Sequence, residues 1–582
     1  MMRKTKIICT IGPASEAVPT LQEMVRAGMN VARLNFSHGV YKEHLQRINN
    51  IREVMKREAR PLAIMLDTKG PEIRTGDVLN GQANLISGNK FVLTTRQIIG
   101  NDQEVSVTYD KLPKEIHVNT TILLSDGLIN LLVEEIKGED IICRVINGGI
   151  LGNKKGINVP GVRINLPFIS PEDTKDIIFG IENKVDYIAA SFVRSAEDIL
   201  DIRRILEKRD ADIGVIAKIE SQEGVNNLED IIKVADGVMV ARGDLGVEIP
   251  VEEVPLVQKE IIEKCNYAGK MVIIATQMLD SMINNPRPTR AEVSDVANAI
   301  FDGADAIMLS GETAAGKYPV EVVATMAKVA KRAEDSLPYS QILREKMISR
   351  THSITDAISY ATCATAENLG AAAIITATRT GLTSKMVAKY RPEANIIAVT
   401  PDESMLNRLT LVWGVYPVLI EETVGTDDLF EEAIHKALER KYINYGDLLI
   451  LTAGTPSSLS GGTNLLKVQV LGDILVEGMG IGDPIKGIVK IVLGPEDIHK
   501  IQPGDIVVTN SADSHLAPFL DKINALIAEE GGLTSNAAIM GLNARIPVIV
   551  GAKSATTILK DDQPITIDTP HGKIYSGFAH IV

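Results

Sequence analysis

Residues 214–245 read GVIAKIESQEGVNNLEDIIKVADGVMVARGDL, and this stretch decides the fold. Two short apolar runs, Gly214–Glu220 and Gly237–Ala241, read as strands, with a helix-length segment between them. Each ends in residues that core packing does not require: Lys218 and Glu220 in the first, then Arg242, Gly243 and Asp244 after the second. A strand has a side-chain period of two, so Lys218 and Glu220 share one face at the C-terminal end. Outward from this stretch the same unit recurs. Strand candidates Thr5–Thr10, Val31–Phe36, Leu62–Asp67, Tyr187–Phe192, Met271–Thr276 and Ala306–Ser310 precede helical patterns such as AEDILDIRRILEKR, directly in every case but the third. Eight strand-then-helix units predict a closed parallel (β/α)₈ barrel. An open doubly wound sheet is the alternative, because periodicity alone does not show closure.

The third unit is interrupted. After Asp67 the texture changes to short β-like runs (NKFVLTT, QEVSVTY, LINLLVEEI, DIICRVI) with Gly and Asn turns between them. An all-β insertion over 70–167 follows, leaving the barrel at a strand's C-terminal end and placed to act as a lid. The expected division is barrel over 1–69 and 168–344, a second α/β domain over 345–475, and a compact C-terminal domain over 476–582. The chain is 582 residues long, with a net charge of −14 and no compensating Lys/Arg run, which argues against nucleic-acid and anionic-membrane partners. No stretch approaches the roughly 18 apolar residues of a membrane span, and the N-terminus lacks a signal-peptide pattern, so a cytoplasmic location is expected. Cys9, Cys143, Cys265 and Cys363 are far apart and form no CxxC or Cys/His cluster; reduced thiols are expected and zinc is unsupported.

Glu220 and Asp244 place one carboxylate at each of two adjacent strand ends, which suits a hard divalent cation such as Mg²⁺. Lys218 beside them can stabilise a transferring phosphoryl group, and Gly243 lets the backbone approach an anion. In NVARLNFSHG, residues Arg33, Asn35 and Ser37 alternate onto one face. With Asp67 and Thr68 at the end of the third strand, Asn35 and Ser37 form a low-charge oxygen nest suited to a monovalent cation. Arg33 and Arg74 supply planar forks for phosphate oxygens. Thr276, Ser310 and Glu312 end the seventh and eighth strands, where a hydroxyl can position substrate or pass a proton. Gly311–Lys317 imitates a phosphate-binding loop, but Tyr318 stands where Ser or Thr is required, so that reading is rejected.

Taken together, ICTIGPAS, ARLNFSHG, LDTKGPEIRTG, KIE, VARGDLGVE, ATQMLDSM and MLSGETAAGKYP resemble the pyruvate kinase family, in order and at family spacing. The resemblance implies transfer of the phosphoryl group of phosphoenolpyruvate to ADP, giving pyruvate and ATP, the last step of glycolysis. It implies Mg²⁺ (or Mn²⁺) on Glu220 and Asp244, and K⁺ on Asn35, Ser37, Asp67 and Thr68. Lys218 and Arg33 would serve the phosphoryl group, and Gly243, Asp244 and Thr276 the phosphoenolpyruvate carboxylate. Asn35, His38, Arg74 and Lys155 would approach the nucleotide. Proton delivery to the enolate falls to Thr276 or to a water chain through Ser310 and Glu312, and the sequence does not choose between them. Glu72 implies dependence on K⁺, since members of the family with Glu at this position need it and those with Lys there do not.

In the 345–475 region, TATRTGLTSKMVAKYRP is similar to the family's effector-phosphate loop, which implies a phosphorylated effector at Thr378, Arg379, Thr380, Gly381, Thr383 and Ser384, with TAGTPSSLSGGTN as a second loop. The family is usually a homotetramer. Residues 476–582 resemble the swivelling phosphohistidine domain of phosphoenolpyruvate-using phosphotransferases, with Asn536 where that domain carries its phosphorylated His. An amide nitrogen is no nucleophile, so a structural or regulatory role is expected there. A phosphohistidine phosphotransferase and a catalytically dead sugar-phosphate sensor are the rival readings; Asn536 argues against the first, and Lys218, Glu220, Asp244 and Arg33 against the second.

Overall fold

The computed structural model describes residues 2–162, 164–348, 353–423, 425–454, 462–472 and 474–579. Its centre is a closed barrel of eight parallel strands: Lys6–Thr10, Val31–Asn35, Ala63–Asp67, Tyr187–Ala190, Gly214–Ile219, Gly237–Ala241, Met271–Ala275 and Ala306–Leu309. Each pairs with its neighbours in sequence, and the first closes on the eighth (Lys6 opposite Ala306). Closure excludes the open sheet. Along each strand alternate residues (Ile7 and Cys9, Ala32 and Leu34, Ile64 and Leu66, Val238 and Val240) join the apolar layer under the helices. The other parity lines the barrel interior and carries Arg33, Asp67 and Lys218.

The chain leaves the barrel at Gly70 and returns at the helix Pro171–Glu182, and one side chain ties the two points. Asp173 closes a capping box with Ser170, whose hydroxyl accepts from the Asp173 N–H at 2.9 Å. Its other oxygen accepts the Gly70 N–H at 3.1 Å. Gly70 has φ +73°, and a Cβ there would stand 2.9 Å from the Ser191 Cβ, so only glycine fits the exit. Between these points lie a seven-stranded sheet and a two-stranded ribbon over their own core, which includes Phe91, Leu131, Val133 and Cys143. A short 3₁₀ turn, Leu79–Gly81, and one α-helical turn, Leu112–Glu115, interrupt the otherwise β insertion. The latter begins with Leu-Pro, and proline fits the first turn of a helix but not a ladder.

The chain divides into two compact units, one of residues 1–342, 348–350 and 402–417, the other of 343–347, 351–401 and 418–582. In the first, Asp402–Pro417 closes the N-terminal end of the barrel. Ala63 donates to Thr410 Oγ1 at 3.2 Å, the Tyr187 hydroxyl to Arg408 O at 2.8 Å, and Lys6 Nζ to Val415 O at 2.6 Å. Burial holds the Lys6 ammonium well below its ordinary value. The second unit holds a mainly parallel sheet with Asn395–Thr400, Ala373–Ala377 and Leu448–Ala453 as neighbours, and Leu465–Val470 antiparallel at its side. It also holds an eight-stranded mixed sheet over 474–576 whose middle strands, from Ile485–Ile491 to Val548–Val550, run parallel. Among the described residues no helix is long and apolar enough to cross a membrane.

Trp413 is the chain's one tryptophan and is 2% exposed, with the Lys4 ammonium 5.3 Å from its ring centre. Trp413→Ala should cost the barrel unit about 3–5 kcal/mol, read as an earlier denaturant midpoint by circular dichroism. In the parent, fluorescence should report a buried indole until that unit unfolds.

Candidate active site

The C-terminal ends of the first five barrel strands converge on a chain of buried charges. Arg33 Nε donates to Asp67 Oδ2 at 2.6 Å, and its Nη1 reaches Thr10 Oγ1 at 2.8 Å. Lys218 Nζ lies 3.1 Å from Asp67 Oδ1, 3.0 Å from Glu220 Oε1 and 2.6 Å from Ser191 Oγ. Glu220 Oε2 accepts the Phe192 N–H at 2.6 Å. Asp67 and Glu220 are each 1% exposed, so this is an ion network inside protein, where an unpaired charge costs several kcal/mol.

The environment separates the two carboxyls. Burial opposes ionisation of Asp67, yet Arg33 and Lys218 outweigh it and hold the group below its ordinary value. Burial pushes Glu220 up to about 7; Lys218 counters that, while the charge of Asp244 adds to it. Burial also raises Asp244. Lys218, against its own desolvation, is held above its ordinary value by Asp67 and Glu220 and stays charged. Two carboxylates that burial and mutual repulsion both disfavour are a donor set that a divalent cation would relieve. Among the described residues no group of three or more His, Cys, Asp and Glu side chains forms a metal site, so such a cation would take its further oxygens from elsewhere.

The residues expected to form a monovalent nest lie on adjacent strand ends. Asn35 and Asp67 are opposite each other in the strand register, the Ser37 N–H donates to Asn35 Oδ1 at 3.1 Å, and Thr68 Oγ1 accepts the Ser191 N–H at 3.2 Å. On the far side, Thr276 takes φ +66°, rare for a β-branched residue. Its hydroxyl accepts the Gly243 N–H at 2.9 Å and donates to Ala275 O at 2.6 Å. Arg242, braced by Asp295 at 2.7 Å, donates to the Thr276 carbonyl at 2.8 Å and holds that conformation. Both Glu312 oxygens accept backbone N–H groups, from Ser310 at 2.7 Å and Leu279 at 3.1 Å, and so join the loops after the seventh and eighth strands.

Arg74 ends one strand of the inserted sheet and Lys155 immediately precedes its neighbour, where Gly156 pairs with Arg74. Arg74 is engaged by Glu72 at 2.6 Å and by Lys154 O at 3.0 Å, while the Lys155 side chain is exposed. His38 is exposed in the loop after the second strand. Asn158 on the insertion donates to Glu248 at 3.0 Å, beside a cavity of about 420 Å³ lined by Glu72, Asp126, Arg194, Asp244 and Glu248.

In the second unit, Gly381 (φ +80°) precedes the helix Leu382–Lys389, and its N–H donates to Thr378 Oγ1 at 2.9 Å. Arg379 and Thr380 are exposed, and Arg379 pairs with Glu422 at 2.5 Å. Thr383 and Ser384 turn inward: Thr383 accepts from Thr463 at 2.9 Å, and Ser384 meets Thr376 at 2.7 Å. Most of the second expected effector loop, 455–461, lies outside the described residues. Asn536 is exposed at the first position of a helix capped by Ser535.

The sequence matches three protein families: pyruvate kinase, barrel domain, over 2–323; pyruvate kinase, alpha/beta domain, over 356–469; and PEP-utilising enzyme, mobile domain, over 501–572. It is 53% identical over 587 residues to the pyruvate kinase of Geobacillus stearothermophilus and 52% over 586 to that of Bacillus licheniformis, covering 100% of each chain. The chain belongs to the pyruvate kinase family. Among solved structures, a pyruvate kinase from Cryptosporidium parvum superposes with a TM-score of 0.77 at 39% identity, over 81% of this chain and 96% of that one. Family membership and the conjunction of Lys218, Glu220, Asp244 and Arg33 at one barrel mouth support an active pyruvate kinase over a dead sensor.

Sequence reasoning missed Ser191 and Thr10. Ser191 Oγ donates to Thr68 O at 2.7 Å, lies 3.2 Å from Asp67 Oδ1, and accepts from Lys218. The signal was there: each is a hydroxyl at the end of a barrel strand, on the first and the fourth, the two strands in the converging set from which no residue had been drawn. Ser191→Ala should leave Lys218 charged but less firmly placed. Steady-state kinetics should show kcat about tenfold lower with KM for phosphoenolpyruvate little changed, in a protein that stays folded.

Proposed function

We propose that the chain moves a phosphoryl group from phosphoenolpyruvate to ADP at the mouth of the barrel, in the cytoplasm, as the last step of glycolysis. The observation that carries the assignment of roles is the buried run Arg33–Asp67–Lys218–Glu220, since a barrel core gains nothing from four internal charges that apolar packing would not supply. Glu220 and Asp244 would hold Mg²⁺ (or Mn²⁺), and Asn35, Ser37, Asp67 and Thr68 would hold K⁺. When bound, these cations neutralise phosphate charge as it shifts from one substrate to the other.

The protein's own part follows from its geometry. Lys218 and Arg33 face the site with charges fixed by Asp67, so they need no reorganisation when negative charge moves across the equatorial phosphoryl oxygens. Gly243 and Asp244 lie in the first turn of the short helix Arg242–Glu248, and with Thr276 they would take the carboxylate of phosphoenolpyruvate. His38, Arg74 and Lys155, with Asn35, would approach the nucleotide. The bond from phosphorus to the enol oxygen breaks as one to a β-phosphate oxygen of ADP forms, and the enolate left behind takes a proton at carbon. Thr276 or a water chain through Ser310 and Glu312 would deliver that proton; the Thr276 hydroxyl would first release Ala275 O, and both Glu312 oxygens accept backbone N–H groups.

We also propose a phosphorylated effector at the loop 378–384. Exposed Arg379 and Thr380 support that reading directly, whereas Thr383 and Ser384 would first have to exchange their internal hydrogen bonds. A homotetramer and the division into 1–69, 70–167, 168–344, 345–475 and 476–582 belong to the same reading. The last domain would serve structure or regulation, with Asn536 unable to accept phosphate.

Lys218→Met tests the chemistry. It should lower kcat at least about 100-fold with little change in either KM, since its charge acts mainly on the transition state; a KM effect alone would contradict the role. The K⁺ assignment rests on Glu72, which here engages Arg74. Activity should rise strongly with K⁺ and hardly with Na⁺, and Glu72→Lys should raise the K⁺-free rate above the parent's by placing a fixed ammonium nearby. Full parental activity without monovalent cations would refute the nest.

A further inference from the structure

The loop after the second strand, Asn35–Gly39, is anchored at both ends. At its start the Phe36 N–H donates to Asp67 O at 3.0 Å, and Asn35 accepts the Ser37 N–H. At its end His44, from the first turn of the helix Tyr41–Glu58, reaches back so that its Nε2 lies 2.9 Å from His38 O. A carbonyl only accepts, so Nε2 carries the proton and the neutral ring leaves Nδ1 bare. Nδ1 is buried and has no hydrogen-bond partner among the described residues, so the ring is built to use one nitrogen. His44 is 1% exposed, and burial holds it below its ordinary value, which keeps it neutral at pH 7.

Two further features fix that ring. It stacks on Phe36, with centroids 4.0 Å apart and planes 10° from parallel, and Phe36 in turn packs on Phe179 at 5.6 Å. Gly39 has φ +87°, and a Cβ there would stand 2.9 Å from Glu43 Oε2 and 3.3 Å from His44 Nε2. The glycine therefore supplies both the left-handed turn and the space through which the imidazole meets the carbonyl.

We propose that His44 is a positioning residue for the loop that presents Asn35, Ser37 and His38: its Nε2–H on the His38 carbonyl, with the stack on Phe36, sets the course of that loop. The inference rests on the reading that these residues serve a monovalent cation and the nucleotide. In the full chain, the K⁺ concentration for half-activation, KM for ADP, KM for phosphoenolpyruvate and kcat would be measured for His44→Phe, His44→Gln, His44→Asn and Ser37→Ala, with Trp413 emission checking the fold. His44→Phe keeps a ring on Phe36 and loses the donor. It should raise half-activating K⁺ and KM for ADP about tenfold, leaving KM for phosphoenolpyruvate and saturated kcat within about twofold. His44→Gln, whose amide can reach the same carbonyl, should restore most of the loss; His44→Asn, too short to reach, should not. Parental constants in a folded His44→Phe or His44→Asn, or no rescue by Gln in a folded protein, would overturn the proposal. Ser37→Ala separates the two levels: an unchanged K⁺ response there overturns the cation reading of the loop, whereas an altered one beside parental His44→Asn overturns His44 alone.

Discussion

The carboxylate of Asp67 is the constraint around which the barrel mouth is arranged. It is buried, it ends the third strand, and within 3.2 Å it meets Arg33 from the second strand, Ser191 following the fourth and Lys218 from the fifth. Removing one partner of such a set leaves a buried charge uncompensated, at about 3–5 kcal/mol, so the four strand ends hold their register as a group. The two buried acids then act on stability with opposite sign. Asp67 has a depressed folded pKa, so its contribution is present above its ordinary value and is lost as pH falls through the folded one. Glu220 is raised to about 7, so as pH rises past its ordinary value the folded state is penalised for ionising it. A buried acid that adds nothing to the fold at neutral pH supports the chemical role proposed for it.

The backbone shows the same division. Phe192, Thr276 and Gln277 all take positive φ, between +55° and +66°, within two residues of the ends of barrel strands. Each follows a regular apolar run that is buried throughout, so the strain sits where the strand stops and the mouth begins. At Phe192 the conformation points an N–H at Glu220, and at Thr276 it turns the carbonyl toward Arg242. The rigid barrel supports both, because its strand registers leave the loops no slack.

Much of this was legible in the sequence because two simple periods govern it. Period two put Lys218 with Glu220 and Arg33 with Asn35, and the alternation of short apolar runs with amphipathic helices counted eight units. What escaped lacks a period. Ser191 and Thr10 are single hydroxyls whose meaning depends on which strands are neighbours. Asp402–Pro417 packs against the first strands of a barrel some 400 positions earlier, through scattered groups such as Thr410 and Val415 O that leave no pattern. The direction of the Thr383 and Ser384 hydroxyls was equally hidden: a hydroxyl-rich helix start reads as anion-facing, yet Thr376 and Thr463 provide internal partners.

Asn536 shows how far local geometry and chemistry can part. It begins its helix with Ser535 as cap, so the turn that would present a reactive side chain is intact. The side chain there is exposed and the cap is made by Ser535, so the helix start does not draw on it. Nucleophilicity differs completely, because the amide lone pair is delocalised into its carbonyl and an imidazole nitrogen keeps its own. At the barrel mouth the converse holds: Lys218 and Glu220 strain the interior electrostatically, and apolar residues would pack there at less cost. A group that burdens its surroundings points to working chemistry more firmly than a shape that costs nothing, and that contrast supports placing the proposed catalysis at the barrel mouth.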